Sequence, residues 1–167
     1  MTDANIPARP SLEFDRKQAK RLLKAVTAGD RSAVARVAAS HPRFRAAKTL
    51  PASISLGDML LTIAREYGFS SWPEWKHFVE LSMLEQTARV SRFLECACSD
   101  RVNMAMRLLR LDEAIGEADA CAASAAGNAA ALKAFIDADP ACVLRNSGPL
   151  DTQPLVYACQ SRLLVTD

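Results

Sequence analysis

Histidine is scarce in this 167-residue chain: only His41 and His77 are present, so the commonest general base and metal ligand is nearly missing. The glycines are isolated from one another, which excludes a glycine-rich loop cradling a phosphate. No apolar run approaches the roughly 18 residues of a membrane span. Met1 to Pro10 is polar and lacks the hydrophobic core of a signal peptide. Aromatic residues are few, at 6%, while alanine is abundant, a balance that suits closely packed helices better than a β-sandwich. The five cysteines are an odd set, all in the second half, which points to reduced thiols in a cytoplasm.

Half of the residues are apolar, enough for a sizeable core. The net charge of +2 conceals an asymmetry: residues 1–90 carry +5 and residues 91–167 carry −3. A basic front half favours acidic partner surfaces or polyanions, although opposed charges of this size commonly reflect solvated helix faces.

Residues 1–10 read as a flexible tail, and residues 11–86 as an N-terminal region of helical hairpins. Ser11 is placed to cap a first helix, with Glu13 and Asp15 in the first turn where anions suit the helix dipole. Leu12, Phe14, Ala19, Leu22, Leu23 and Val26 follow at helical spacing. Ala28-Gly29-Asp30 breaks this helix, Asp30 or Ser32 caps the next, and Pro42 stops it. After an irregular stretch from His41 to Ser55, Met59, Leu60, Ile63 and Ala64 mark a third helix. Ser71-Trp72-Pro73-Glu74 has capping-box spacing and opens a fourth. Trp72 and Trp75 share a face near Phe69 and Phe78, a pattern that more often makes core than interface.

The chain also repeats itself. Ala28-Gly29-Asp30 and Ala126-Gly127-Asn128 stand 98 positions apart, and at that offset Ala33 matches Ala131, Val37 matches Phe135 and Pro42 matches Pro140. A third copy lies 27 positions before the last, with Asp100 in the glycine's place and Leu108-Leu109 matching Phe135-Ile136. Two helices around a small-residue turn, repeated, predict a stack in which each pair buries its face on the next. The expected pairs are Phe93–Cys98 with Val102–Leu111, and Ala118–Ala126 with Ala129–Ala138. Pro149-Leu150-Asp151-Thr152 reads as a turn, and Gln153–Leu164 as one more helix, the start of an incomplete last repeat in a longer array.

Ala123-Ser124-Ala125-Ala126-Gly127-Asn128, followed by Leu132 and Phe135-Ile136, resembles the ankyrin consensus of two antiparallel helices joined at a glycine-polar pair. Thr152-Gln153-Pro154-Leu155-Val156-Tyr157-Ala158 looks like the opening of another repeat. Ile63-Ala64-Arg65-Glu66-Tyr67-Gly68-Phe69, with Ser71-Trp72-Pro73 and Lys76, is similar to the N-terminal segment of bacterial ankyrin-repeat-containing proteins. The Thr-Pro-Leu-His tetrapeptide is missing, so the repeats in 87–167 are degenerate. The resemblance implies an all-α, ankyrin-like solenoid of stacked antiparallel hairpins. It also implies a non-catalytic protein-interaction scaffold that needs no cofactor or small-molecule substrate.

Candidate chemistry is thin. Cys96 and Cys98 project about 200° apart on a helix, and both histidines lie outside the cysteine-rich region, so zinc is not expected. Cys96 and Cys159 fall at or beside small-residue helix positions where cysteine packs as a small hydrophobe. His77 has only Glu74 and Glu80 of its own helix as neighbours for base catalysis. Arg16, Lys17, Lys20, Arg21 and Lys24, with Arg43, Arg45 and Lys48, form a basic surface that suggests nucleic-acid contact as an alternative, without any recognition-helix signature. A further alternative is a regulatory segment of a larger enzyme. The expected partner-binding residues are Asp151, Thr152 and Gln153, at a turn tip facing an unidentified protein.

Overall fold

The computed structural model describes residues 6–45, 47, 49–51 and 53–165. Lys48 and the first half of the expected tail lie outside the described residues. Among those described the chain is all-α: helices joined by turns and 3-10 segments, no β-strand, and one isolated antiparallel bridge. They form two compact units, one up to Glu80 and one from Leu81 onward. No described helix is long and apolar enough to cross a membrane.

In the first unit α1 (Leu12–Thr27), α2 (Arg31–Ser40) and α3 (Leu56–Glu66) pack pairwise. Their starts follow local chemistry. Ser11 accepts the Phe14 N–H, and the Asp30 carboxylate accepts the Ser32 and Ala33 N–H groups at 2.7 and 3.1 Å. Ser55 and Asp58 cap α3 reciprocally. Leu22, Val26, Val37, Phe44, Met59 and Ile63 make one core, each contributing about 1.5–3 kcal/mol when fully buried.

Helix α4 (Trp72–Ser82) opens with the Ser71 hydroxyl accepting the Glu74 N–H at 3.3 Å, while the Glu74 carboxylate accepts the Ser70 N–H at 2.8 Å. Trp75, Phe78 and Phe69 are fully buried, with ring centroids 5.0 to 5.7 Å apart, so this tryptophan is core; Trp72 is half-buried. Asp15 stands in the first turn of α1, as expected, and its side chain is buried. It is 1% exposed and accepts the Trp75 indole N–H at 2.9 Å and the Tyr67 hydroxyl at 3.1 Å. Burial pushes its carboxyl above the ordinary aspartate range, and the two donors oppose that push. The Tyr67 hydroxyl is itself pushed up to about 12, chiefly by burial and then by the neighbouring Asp15 charge.

The second unit contains α5 (Gln86–Ala97), α6 (Val102–Leu111), α7 (Ala120–Ala126), α8 (Ala129–Ala138) and α9 (Pro154–Gln160). Helix α5 begins well before Phe93, and α9 stops at Gln160, earlier than expected. The stop has a cause: Ser161 takes an extended backbone and its hydroxyl donates to the Ala125 carbonyl at 2.6 Å. Cys121 to Ala125 are all buried, and α7 packs against α5, α8 and α9. Side chains this small let neighbouring backbones approach closely. Gly127, in the left-handed region at φ 71°, ends α7, and Asn128 accepts the Ala131 N–H to start α8. Cys96 is buried, but Cys159 is exposed, contrary to the expectation that it packs, because it lies on the outer face of α9 with Leu155.

Candidate interaction site

Asp151, Thr152 and Gln153 lie together where the Ser147–Thr152 turn enters α9. Ser147 and Thr152 exchange backbone hydrogen bonds at 3.0 and 3.3 Å. Asp151 is exposed and has φ 45°, a left-handed conformation that aspartate tolerates better than most residues. The turn is fastened from beneath. The fully buried Tyr157 donates its hydroxyl to the Ser147 carbonyl at 3.1 Å and accepts the Leu150 N–H at 2.9 Å. Gly148 makes this approach possible: a Cβ there would stand 2.5 Å from the Tyr157 hydroxyl. Next to the turn is a groove of about 530 Å³, lined by Thr87, Val90 and Leu94 of α5, by Asp119, and by Ser147 and Gly148. Asp119 is engaged as the cap of α7, accepting the Ala122 N–H at 2.7 Å. The turn therefore presents a rigid backbone edge beside a mixed polar and apolar hollow.

In the first unit the basic helix presents Arg16, Lys17, Lys20, Arg21 and Lys24 to solvent. Lys17 pairs with Glu13 at 2.7 Å, and the other four side chains make no ion pair among the described residues. A second groove, of about 400 Å³, runs between α1 and α2. Arg43 stacks its guanidinium over Phe44 at 4.7 Å.

His41 is buried against Phe44; its Nδ1 accepts the Arg43 N–H at 3.2 Å, and its Nε2 faces the Asp58 carboxylate at 3.4 Å without an aligned hydrogen bond. Burial lowers its pKa, partly offset by the Asp58 charge. His77 is exposed on α4. The Cys96 and Cys98 thiols are raised by burial, and that of Cys121 is pushed up to about 11 by burial and then by Asp119, the reverse of what a nucleophilic cysteine needs. Among the described residues no group of three or more His, Cys, Asp or Glu side chains is placed to hold a metal.

The sequence carries a local signal for the burial of Asp15, which lies on the same stripe of α1 as the buried Ala19, Leu22 and Val26. Comparison with family models, with curated proteins and with solved structures found no match to this chain.

Proposed function

We propose that this chain is a non-catalytic protein-interaction module, an ankyrin-like stack of degenerate helical hairpins of the bacterial type, working in the cytoplasm. The observation that carries the reading is the placement of α7 against both α5 and α9, with the turn before α9 held rigidly beside a groove. Successive first helices packed on one another, with a turn preceding the third, form the layout that a helical-repeat scaffold uses to offer surface. The partner-facing residues are Asp151, Thr152 and Gln153, and the raised thiol of the buried Cys121 supports a role without chemistry.

Affinity capture from the source cell, with the whole chain as bait, tests this. The expected result is an enriched protein that is lost when bait carries Asp151→Lys with Gln153→Lys and an unchanged circular dichroism spectrum. Recovery of nucleic acid alone, or turnover of a substrate by the purified chain, overturns the reading.

A further inference from the structure

We propose that the groove between α1 and α2 is a docking site for an acidic, amphipathic peptide segment of another protein, seating an apolar side chain against Phe14 and carboxylates on Arg21 and Lys24. The inference rests on the interaction-module reading and assigns it a second surface with a stated chemistry.

The groove face of α1 is built from one helical stripe. Phe14, Gln18, Arg21 and Ala25 recur at intervals of four, three and four residues, and Leu22 with Ala33 of α2 forms the floor. Phe14 is 55% exposed although it stands at the end of this apolar floor. An aromatic ring left in water beside a concave apolar surface gains from being covered.

The charges select the sign of the visitor. On the α2 wall Arg36 is already matched: its guanidinium holds Glu66 through two hydrogen bonds of 2.7 Å. Asp30 is committed to the N–H groups that start α2. The outer rim is different. Arg21 lines the groove and Lys24, nearly one turn on, flanks it; both are exposed and carry no ion pair among the described residues. Two unmatched cations beside an apolar floor complement a segment that carries carboxylates beside an apolar ridge. A nucleic-acid strand would favour aromatics interleaved with the cations as stacking platforms, and here a single phenyl ring stands at one end.

The test uses the full chain and fluorescence anisotropy. The probe is a fluorescein-labelled helical peptide of Glu and Leu with its leucines on one face; the controls replace every Glu with Lys, or substitute a single-stranded DNA oligonucleotide of similar length. Saturable binding of the Glu-Leu peptide with a micromolar Kd is expected. Arg21→Glu with Lys24→Glu should weaken it about tenfold and flatten its salt dependence. Phe14→Ser should weaken it while leaving the salt dependence intact. The replaced side chains are exposed, and circular dichroism checks that each variant stays folded. No binding by the unsubstituted chain, equal binding by the variants, or preference for the oligonucleotide overturns the proposal. Cellular capture separates the two readings. A protein held equally by the unsubstituted chain and by Arg21→Glu/Lys24→Glu, yet lost on Asp151→Lys/Gln153→Lys, refutes the α1–α2 groove alone. Capture of no protein by any of them overturns the module itself.

Discussion

Replacing Trp75 with Phe separates two tasks of the buried indole, filling the core and holding Asp15. The indole N–H lies 2.9 Å from one Asp15 oxygen, and the Tyr67 hydroxyl lies 3.1 Å from the other. A phenyl ring keeps contact with Phe69 and Phe78, so much of the packing survives, but the donor is gone. A hydrogen bond to a charged group contributes about 1.5–3 kcal/mol, and the smaller ring forfeits roughly 1 kcal/mol of apolar burial. The unit should lose about 3 kcal/mol in all, a large share of the ~5–15 kcal/mol that stabilises an ordinary domain. The pH dependence makes the cause identifiable. Burial raises the Asp15 pKa above 3.8 and the Trp75 donor pulls it back, so in the variant the folded-state value climbs further. A carboxyl with a raised folded-state pKa contributes stability that is complete below its unfolded value and is lost as pH rises through the folded one. The deficit of Trp75→Phe is therefore greatest at neutral pH and shrinks in acid. Urea titrations followed by circular dichroism at neutral and acidic pH measure it, and Asp15→Asn in the same background should restore most of the loss by removing the stranded charge. A deficit under about 1 kcal/mol, or one indifferent to both pH and Asp15→Asn, refutes the reasoning.

Gly148→Ala should destabilise the second unit by about 1–3 kcal/mol, because it forces a Cβ to φ 70° and against the Tyr157 hydroxyl; an unchanged Tm together with unchanged hydrogen exchange at Ser147 and Thr152 contradicts this. His41 should make the first unit less stable as pH falls. Its folded-state pKa lies below 6.5, so the unfolded chain takes up the proton first and stability drops from about pH 6.5 down to the folded value. His41→Gln should flatten that slope in denaturant titrations, whereas an equal slope in the variant places its origin elsewhere. Toward a chromogenic disulfide reagent the exposed Cys159 should react first, and Cys121, at about 11, should hold only about a thousandth of its thiol as thiolate near pH 8. Mass spectrometry of the partly labelled chain reads the order, and early labelling of Cys121 contradicts the burial argument.

What was legible in the chain was what short-range chemistry decides. Ser11 and Asp30 cap helices because a side-chain oxygen two or three residues away can reach orphan N–H groups, and that requirement is visible in the local sequence. The break at Gly127-Asn128 was legible for the same reason: one residue takes a left-handed conformation and the next supplies a cap. What escaped depends on distance along the chain. Asp15 stands on an apolar stripe, a local hint, but its partner Trp75 is sixty residues away and nothing short-range connects them. The early start of α5 escaped because Gln86, Thr87, Arg89 and Ser91 dilute the apolar pattern ahead of Phe93. The outward placement of Cys159 escaped because a small thiol reads alike on either face of so short a helix. The expected turn residues do adjoin a groove, but its far wall is α5, and the pairing is decided by tertiary packing.

The two candidate surfaces depend on different physics. In the second unit the central helix is made of the smallest side chains, and the bulk of the core comes from Phe93, Leu94, Leu108, Ile115 and Tyr157 around it. A seven-residue helix has no stability of its own, so α7 persists only because α5 and α9 press on it. The turn at Asp151 inherits that condition through Tyr157, which is part of the packed core and also the fastening of the turn. Any enlargement within α7 would move α9 and with it the edge of the turn. The groove of the first unit draws instead on α1, a sixteen-residue helix with its own cap, and on a core of Leu22, Val37 and Ile63. Its rim cations hang on a helix whose position the aromatic cluster and Asp15 hold from the opposite face. Rigidity in the first case is borrowed from neighbouring helices; in the second it is intrinsic to a capped helix pinned by one buried carboxyl.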